Sequence, residues 1–266
     1  MAPSGTSPSS QDRRAAQRES LRKQRQAELK RQRTMRTTVI AAITVVALVV
    51  VAGLGYLVYR SMQPAGPVAT PQGVAEDQPY LSFGAPAGSG KPVVELHLDF
   101  MCPYCGQFEQ INGEDIQTII EEETATVNIV PRNFLDTLST TGDYSTRTAN
   151  AFVCTYEESP ATAIALQQLL FANQPAENSA GLTDEQIAAY ATEAGASEET
   201  LSCLADGTYE GWVDTVANPY GEETGGGTPF VKIDDTVIEP EQWGEAGVLK
   251  QLVDEAAGSA SDGGQG

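Results

Sequence analysis

The chain has 266 residues, 41% apolar and 20% charged, enough for one folded domain of about 150–200 residues plus appendages; a wholly disordered, collagen-like or polytopic membrane protein is excluded. The net charge of −20 is segregated: residues 1–36 carry ten basic and three acidic residues, residues 61–266 five basic and 33 acidic. A body this acidic offers no patch for a phosphate backbone, which argues against nucleic acid as a partner.

Between Arg36 and Arg60 lie 23 uncharged residues, TTVIAAITVVALVVVAGLGYLVY. That run can cross roughly 30 Å of hydrocarbon, so residues 37–59 are predicted to be a single transmembrane helix. Lysines and arginines crowd its N-terminal side and Arg60 stands alone after it. The positive-inside rule then leaves residues 1–36 as a basic cytoplasmic tail and puts the acidic body outside the cell. A cleaved signal peptide is the competing reading. The basic region is long, the apolar run exceeds a usual signal core and no A-x-A site follows closely, so an uncleaved signal-anchor in the cell membrane is expected.

Residues 60–79 are predicted to be a flexible extracytoplasmic linker rich in Pro, Gly and Ala, with Tyr80–Phe83 as a short edge strand. The folded domain is expected over residues 80–256 and a disordered tail over 257–266. Within it, VVELHLDF (93–100) alternates, placing Val94, Leu96, Leu98 and Phe100 on one face and Glu95, His97 and Asp99 on the other, to touch solvent or a cap rather than the dithiol described below, with His97 read as a packed or half-exposed strand residue. A helix from Cys102 to about Glu123 follows, with Asn112-Gly113 as a point of bending, then a strand over 126–134. Strand, helix and strand in that order favour a parallel crossover unit. Residues 141–218 change to Ala-, Gln- and Glu-rich segments of helical period, an inserted α-helical subdomain. Thr183 with Gln186 has the capping-box pattern, and Gly195 and Gly207 are plausible stops. Strands PFVKI and TVI and a helix from about Gln242 to Ala256 end the domain.

Cys102-Pro103-Tyr104-Cys105 falls at the join of strand and helix. Thiols three apart on a first helical turn can close a small disulfide ring, and the amides at the helix start stabilise a thiolate on the first. Pro103 falls where a missing N–H costs little. Cys102 is therefore expected to be exposed and nucleophilic and Cys105, one turn deeper, to be the resolving thiol. A zinc site needs four ligands, normally a second close pair; the single histidine is His97 and the other cysteines, Cys154 and Cys203, lie 49 positions apart, so no metal is expected. Those two cysteines sit in separate helical segments. They read either as a structural bridge pinning two helices or as a second redox pair relaying electrons to Cys102, although the short spacing usual for such pairs is missing.

DFMCPYC, a helical insertion, GGGTPFVKID and a terminal helix resemble the DsbA-type thiol:disulfide oxidoreductases of the thioredoxin superfamily, in particular their membrane-anchored actinobacterial branch. The resemblance covers about residues 80–256. It implies an α/β thioredoxin-like fold with an inserted α-helical subdomain, here preceded by a transmembrane helix. It implies that Cys102 and Cys105 form the redox disulfide, that Pro229 is cis with Thr228 beside the dithiol, and that Cys154 and Cys203 form a structural disulfide. The motif residues Pro103 and Tyr104 tune the thiols. One position departs from the pattern: where thioredoxin and DsbA carry a buried acid six residues before the nucleophile, this chain has Leu96. Asp99 matches the acid of the DFxCPYC form, either with a modest tuning role or as a solvated strand-end carboxylate.

The resemblance implies an enzyme that introduces disulfides into reduced or unfolded exported proteins and is reoxidised by a membrane quinone-linked or other partner, with no bound cofactor. The same fold run as an extracytoplasmic reductase, isomerase or thiol carrier, or a non-catalytic binding module, are the alternatives.

Overall fold

The computed structural model describes residues 68–262 and the single positions 30, 35 and 44. The predicted span 37–59, the basic tail and residues 263–266 otherwise lie outside the described residues. Among the described residues no helix is long and apolar enough to cross a membrane.

The sheet has five strands: β1 (Leu81–Gly84), β2 (Val93–Leu98), β3 (Thr126–Pro131), β4 (Phe230–Ile233) and β5 (Thr236–Val237), in the order β1-β3-β2-β4-β5. β2 and β3 pair in parallel with Leu96 opposite Ile129, joined by the helix α1 (Pro103–Glu121). β1, β4 and β5 pair antiparallel with their neighbours. β2 and β3 are buried almost throughout, as expected for central strands covered on both faces.

That double coverage corrects the reading of Glu95 and Asp99 as residues of a face that meets solvent, and makes His97 the packed strand residue it was expected to be. The alternation holds, but their face is covered by helices: His97 and Asp99 are fully buried and Glu95 nearly so. His97 packs 4.7 Å from the Phe230 ring and its Nε2 lies 2.8 Å from Glu95 Oε1, which also accepts from the Tyr220 hydroxyl. Burial alone would raise the Glu95 pKa, but these bonds and Lys232 hold it below its ordinary value.

Asn112-Gly113 does not interrupt α1, which runs unbroken from Pro103 to Glu121. Asn112 is buried and its amide donates to the carbonyls of Phe108 and Trp243, tying the helix to the C-terminal segment. The strand expected over 126–134 stops at Pro131, after which Arg132 N bonds Leu98 O and the chain turns away.

The insertion comprises α2 (Tyr144–Glu158), α3 (Pro160–Ala172), α4 (Asp184–Glu193), α5 (Glu198–Asp206) and α6 (Glu210–Trp212), then a π-helical turn (Val213–Ala217) that runs into α7 (Asn218–Thr224). Ser159 caps α3 ahead of Pro160, Thr183 and Gln186 form a capping box on α4, and Gly207 ends α5 in the left-handed region. α2 is its buried centre, with Tyr144, Phe152 and Val153 fully enclosed. A disulfide between Cys154 and Cys203 joins α2 to α5. Closing a loop of 49 residues is worth about 4 kcal/mol in the chain-entropy model. Replacing both cysteines by alanine should lower the urea midpoint accordingly while leaving the alkylation rate of Cys102 unchanged; a matching loss of Cys102 reactivity would point to an electron relay instead.

The single C-terminal helix expected from the sequence is two, α8 (Pro240–Trp243) and α9 (Val248–Asp262). Trp243 is buried edge-on against Phe108 at 5.3 Å, and Gly247, with φ +85°, reverses the chain between the helices. α9 continues through Asp262, into the stretch expected to be a disordered tail, with Leu252 and Ala256 on the core. At the other end, Gln72 N donates to Glu157 Oε1 and Val74 packs on the body, so the chain is already docked before β1.

Candidate active site

The turn from β2 into α1 is built by Asp99. Its Oδ1 accepts from Met101 N at 2.8 Å and its carbonyl from Cys102 N at 3.0 Å, which swings the chain off the strand. Cys102 is the extended N-cap of α1 and Pro103 opens the first turn. The thiols are free and recessed: Cys102 is 4% exposed and Cys105 0%, while Tyr104 between them is 67% exposed. The expected exposure of Cys102 is therefore corrected; the loop before β4 covers the sulfur.

That loop runs through Gly225–Gly227 to a cis Thr228–Pro229 bond. Gly226 has φ +71°, and a side chain at Gly225 would strike the Phe230 ring. Cys102 Sγ donates to the Thr228 carbonyl at 3.2 Å, so the residue before the cis-proline lies at the thiol.

The two sulfurs have opposite environments. The Cys105 thiol beside it, opposed by burial, together with Thr228 and the Cys105 and Tyr104 amides, lowers Cys102 to about 6. Cys105 is pushed well above the ordinary thiol value by burial and by the neighbouring Cys102. The pair thus has one thiolate at neutral pH, the arrangement that dithiol exchange requires.

Asp99 is enclosed beside them. Besides Met101, it accepts from Ser145 Oγ at 2.7 Å and Leu135 N at 2.9 Å. Burial outweighs those bonds and raises it to about 7. Ser145 and Leu135 were invisible to pattern reading, as was Gln174, whose Nε2 donates to Phe100 O at 3.0 Å and Cys102 O at 2.8 Å from the loop after α3. Arg132 is fully buried with Nε on Asn218 Oδ1, and its charge acts on Asp99 and Cys105. One signal could have found it: Arg132 and Arg147 are the two basic residues between Lys91 and Lys232.

A sheet of this order, with a dithiol at the start of α1, one sulfur activated and the other buried beside a cis Thr228–Pro229 bond, is an arrangement able to carry out thiol–disulfide exchange. The family profile described as thioredoxin matches residues 81–254, and the chain belongs to that family. Among solved structures, the reduced disulfide bond oxidoreductase DsbG of Mycobacterium tuberculosis is 25% identical, with 67% of this chain and 90% of that one covered and a TM-score of 0.52. MdbA of Actinomyces oris, described as a thiol-disulfide oxidoreductase, shares the fold at 19% identity, covering 70% of this chain and 91% of that one, with a TM-score of 0.57. The serine/threonine-protein kinase PknE of M. tuberculosis is 32% identical over 146 residues; the match takes in 52% of this chain but 26% of the kinase, so this chain spans about a quarter of that relative's length.

Proposed function

We propose that the protein introduces disulfides into reduced, exported proteins. A client thiolate attacks Cys102 of the Cys102–Cys105 disulfide and Cys105 leaves as a thiolate that takes a proton. A second client thiolate then attacks the client sulfur of the mixed disulfide and releases Cys102. Two electrons pass from client to enzyme, whose dithiol is reoxidised by a membrane quinone-linked or other oxidant. Thr228 and Pro229 hold the client chain beside the sulfur, Pro103 and Tyr104 shape the thiol ring, and Asp99 tunes it. The Cys154–Cys203 bridge serves the insertion, about 141–218, within a catalytic domain that starts near residue 80.

The observation that carries this reading is the dithiol's placement, Cys102 at the N-cap of α1 under the Thr228 carbonyl and Cys105 enclosed behind it. That setting lowers the Cys102 pKa and raises that of Cys105, and a stabilised thiolate favours the dithiol and so makes the disulfide oxidising. Equilibration with glutathione tests it. A potential more oxidising than roughly −270 mV is expected; one at or below that value would make the protein a reductase.

The same reading places residues 1–36 in the cytoplasm, the span at 37–59 and the domain outside, tethered through the segment that precedes Gln72. Protease added to intact cells should digest the acidic body and spare the basic tail, and a protected body would refute that location.

A further inference from the structure

A groove of about 760 Å³ runs between α1 and α3 from Pro103, the residue that follows Cys102. One wall is a single face of α1, from Pro103 past Gly106 and Glu109 to Gln117; the other includes Gln168 and Phe171. It starts next to Cys102, and the bond from Gln168 Nε2 to Gln117 Oε1 closes its far end. Glu109 lies on its floor, 9% exposed, with Oε2 accepting from Gln167 Nε2 at 2.8 Å. Its other oxygen lies against Gly113, where any side chain would displace it. No lysine, arginine or histidine lines the groove, so nothing in its walls neutralises the carboxyl.

Resting on the proposed reaction with client thiols, we infer that this groove holds the client segment adjoining its reacting cysteine, and that Glu109 selects a basic side chain there. A chain joined to Cys102 has to leave the sulfur in some direction, and this channel opens at the adjacent residue. Pro103 to Glu109 is about 9 Å along a helix, which an extended chain covers in about three residues. The lysine or arginine is therefore the third residue from the client cysteine. An ammonium or guanidinium reaching the floor meets the free Glu109 oxygen in a partly dry site, where a charge-assisted bond is stronger than at the surface.

The test uses the full chain carrying Cys105→Ser, with Cys102 held as a mixed disulfide with glutathione, which is exchanged against unstructured single-cysteine peptides carrying Lys, Ala or Glu three residues before or after the cysteine. On one side, the exchange constant should fall about fivefold from Lys to Ala and again from Ala to Glu, and Lys moved to the sixth position should match Ala. Glu109→Gln, which keeps a partner for Gln167, should erase the order while leaving the Ala peptide's constant unchanged; that constant also reports on whether the variant is folded. Equal constants for the three peptides, or a lysine preference that survives Glu109→Gln, would overturn the subsite. Failure of every peptide to displace glutathione would instead count against the client reading itself.

Discussion

Cys102→Ser should abolish thiol exchange, whereas Cys105→Ser should leave Cys102 open to attack and accumulate clients as mixed disulfides. The asymmetry follows from the two environments: Cys102 sits at the helix start near pKa 6, while Cys105 is enclosed and held protonated. Iodoacetamide alkylation of the reduced protein should therefore titrate at Cys102 with a midpoint near 6, with Cys105 unreactive across neutral pH. Because the folded pKa lies below the free-thiol value, the stabilisation of the reduced form is full above about 8.5–9, shrinks as pH falls and is gone below about 6. At pH 7 it amounts to about 1.4 kcal/mol, which raises the potential by about 30 mV over an unperturbed thiol. A Cys102 midpoint near that of a free thiol would sink the oxidase assignment.

Asp99→Ala should cost roughly 3–5 kcal/mol, since it leaves the Met101 and Leu135 amides and the Ser145 hydroxyl buried without their acceptor. Urea unfolding at pH 6 measures this. The loss should narrow as pH rises from about 4 to 7 and level off above it. Asp99 has its pKa raised to about 7, so the penalty for burying the ionised carboxylate grows as pH rises from about 4 to 7, and the alanine variant escapes it. Unchanged stability would show that Asp99 does not hold the turn.

The order of elements was legible because β2, α1 and β3 carry strong local periods and CPYC marks the strand-to-helix join. What the period cannot say is what lies over the second face of a strand. Glu95 and Asp99 read as polar-out because alternation is blind to α2 and α7, which come later in the chain and cover that face with Ser145 and Tyr220. The same limit hid Gln174: a glutamine after a helix is unremarkable until folding brings it to the Cys102 carbonyl, 72 residues away in sequence. The division of the last helix at Gly244–Gly247 went unseen for a simpler reason, since Trp243 has to turn inward onto Phe108 before α9 can start.

The recessed sulfur also decides which cysteines can be reached at all. With Cys102 only 4% exposed, under the Thr228 carbonyl and beside a protruding Tyr104, an attacking sulfur has to arrive on a narrow, flexible stalk. A nascent segment can thread in; a thiol set flush in a finished, rigid surface is stopped by its own neighbours. On the proposed reaction, completed proteins would thereby withdraw without any recognition of their identity, leaving the enzyme to chains still being made.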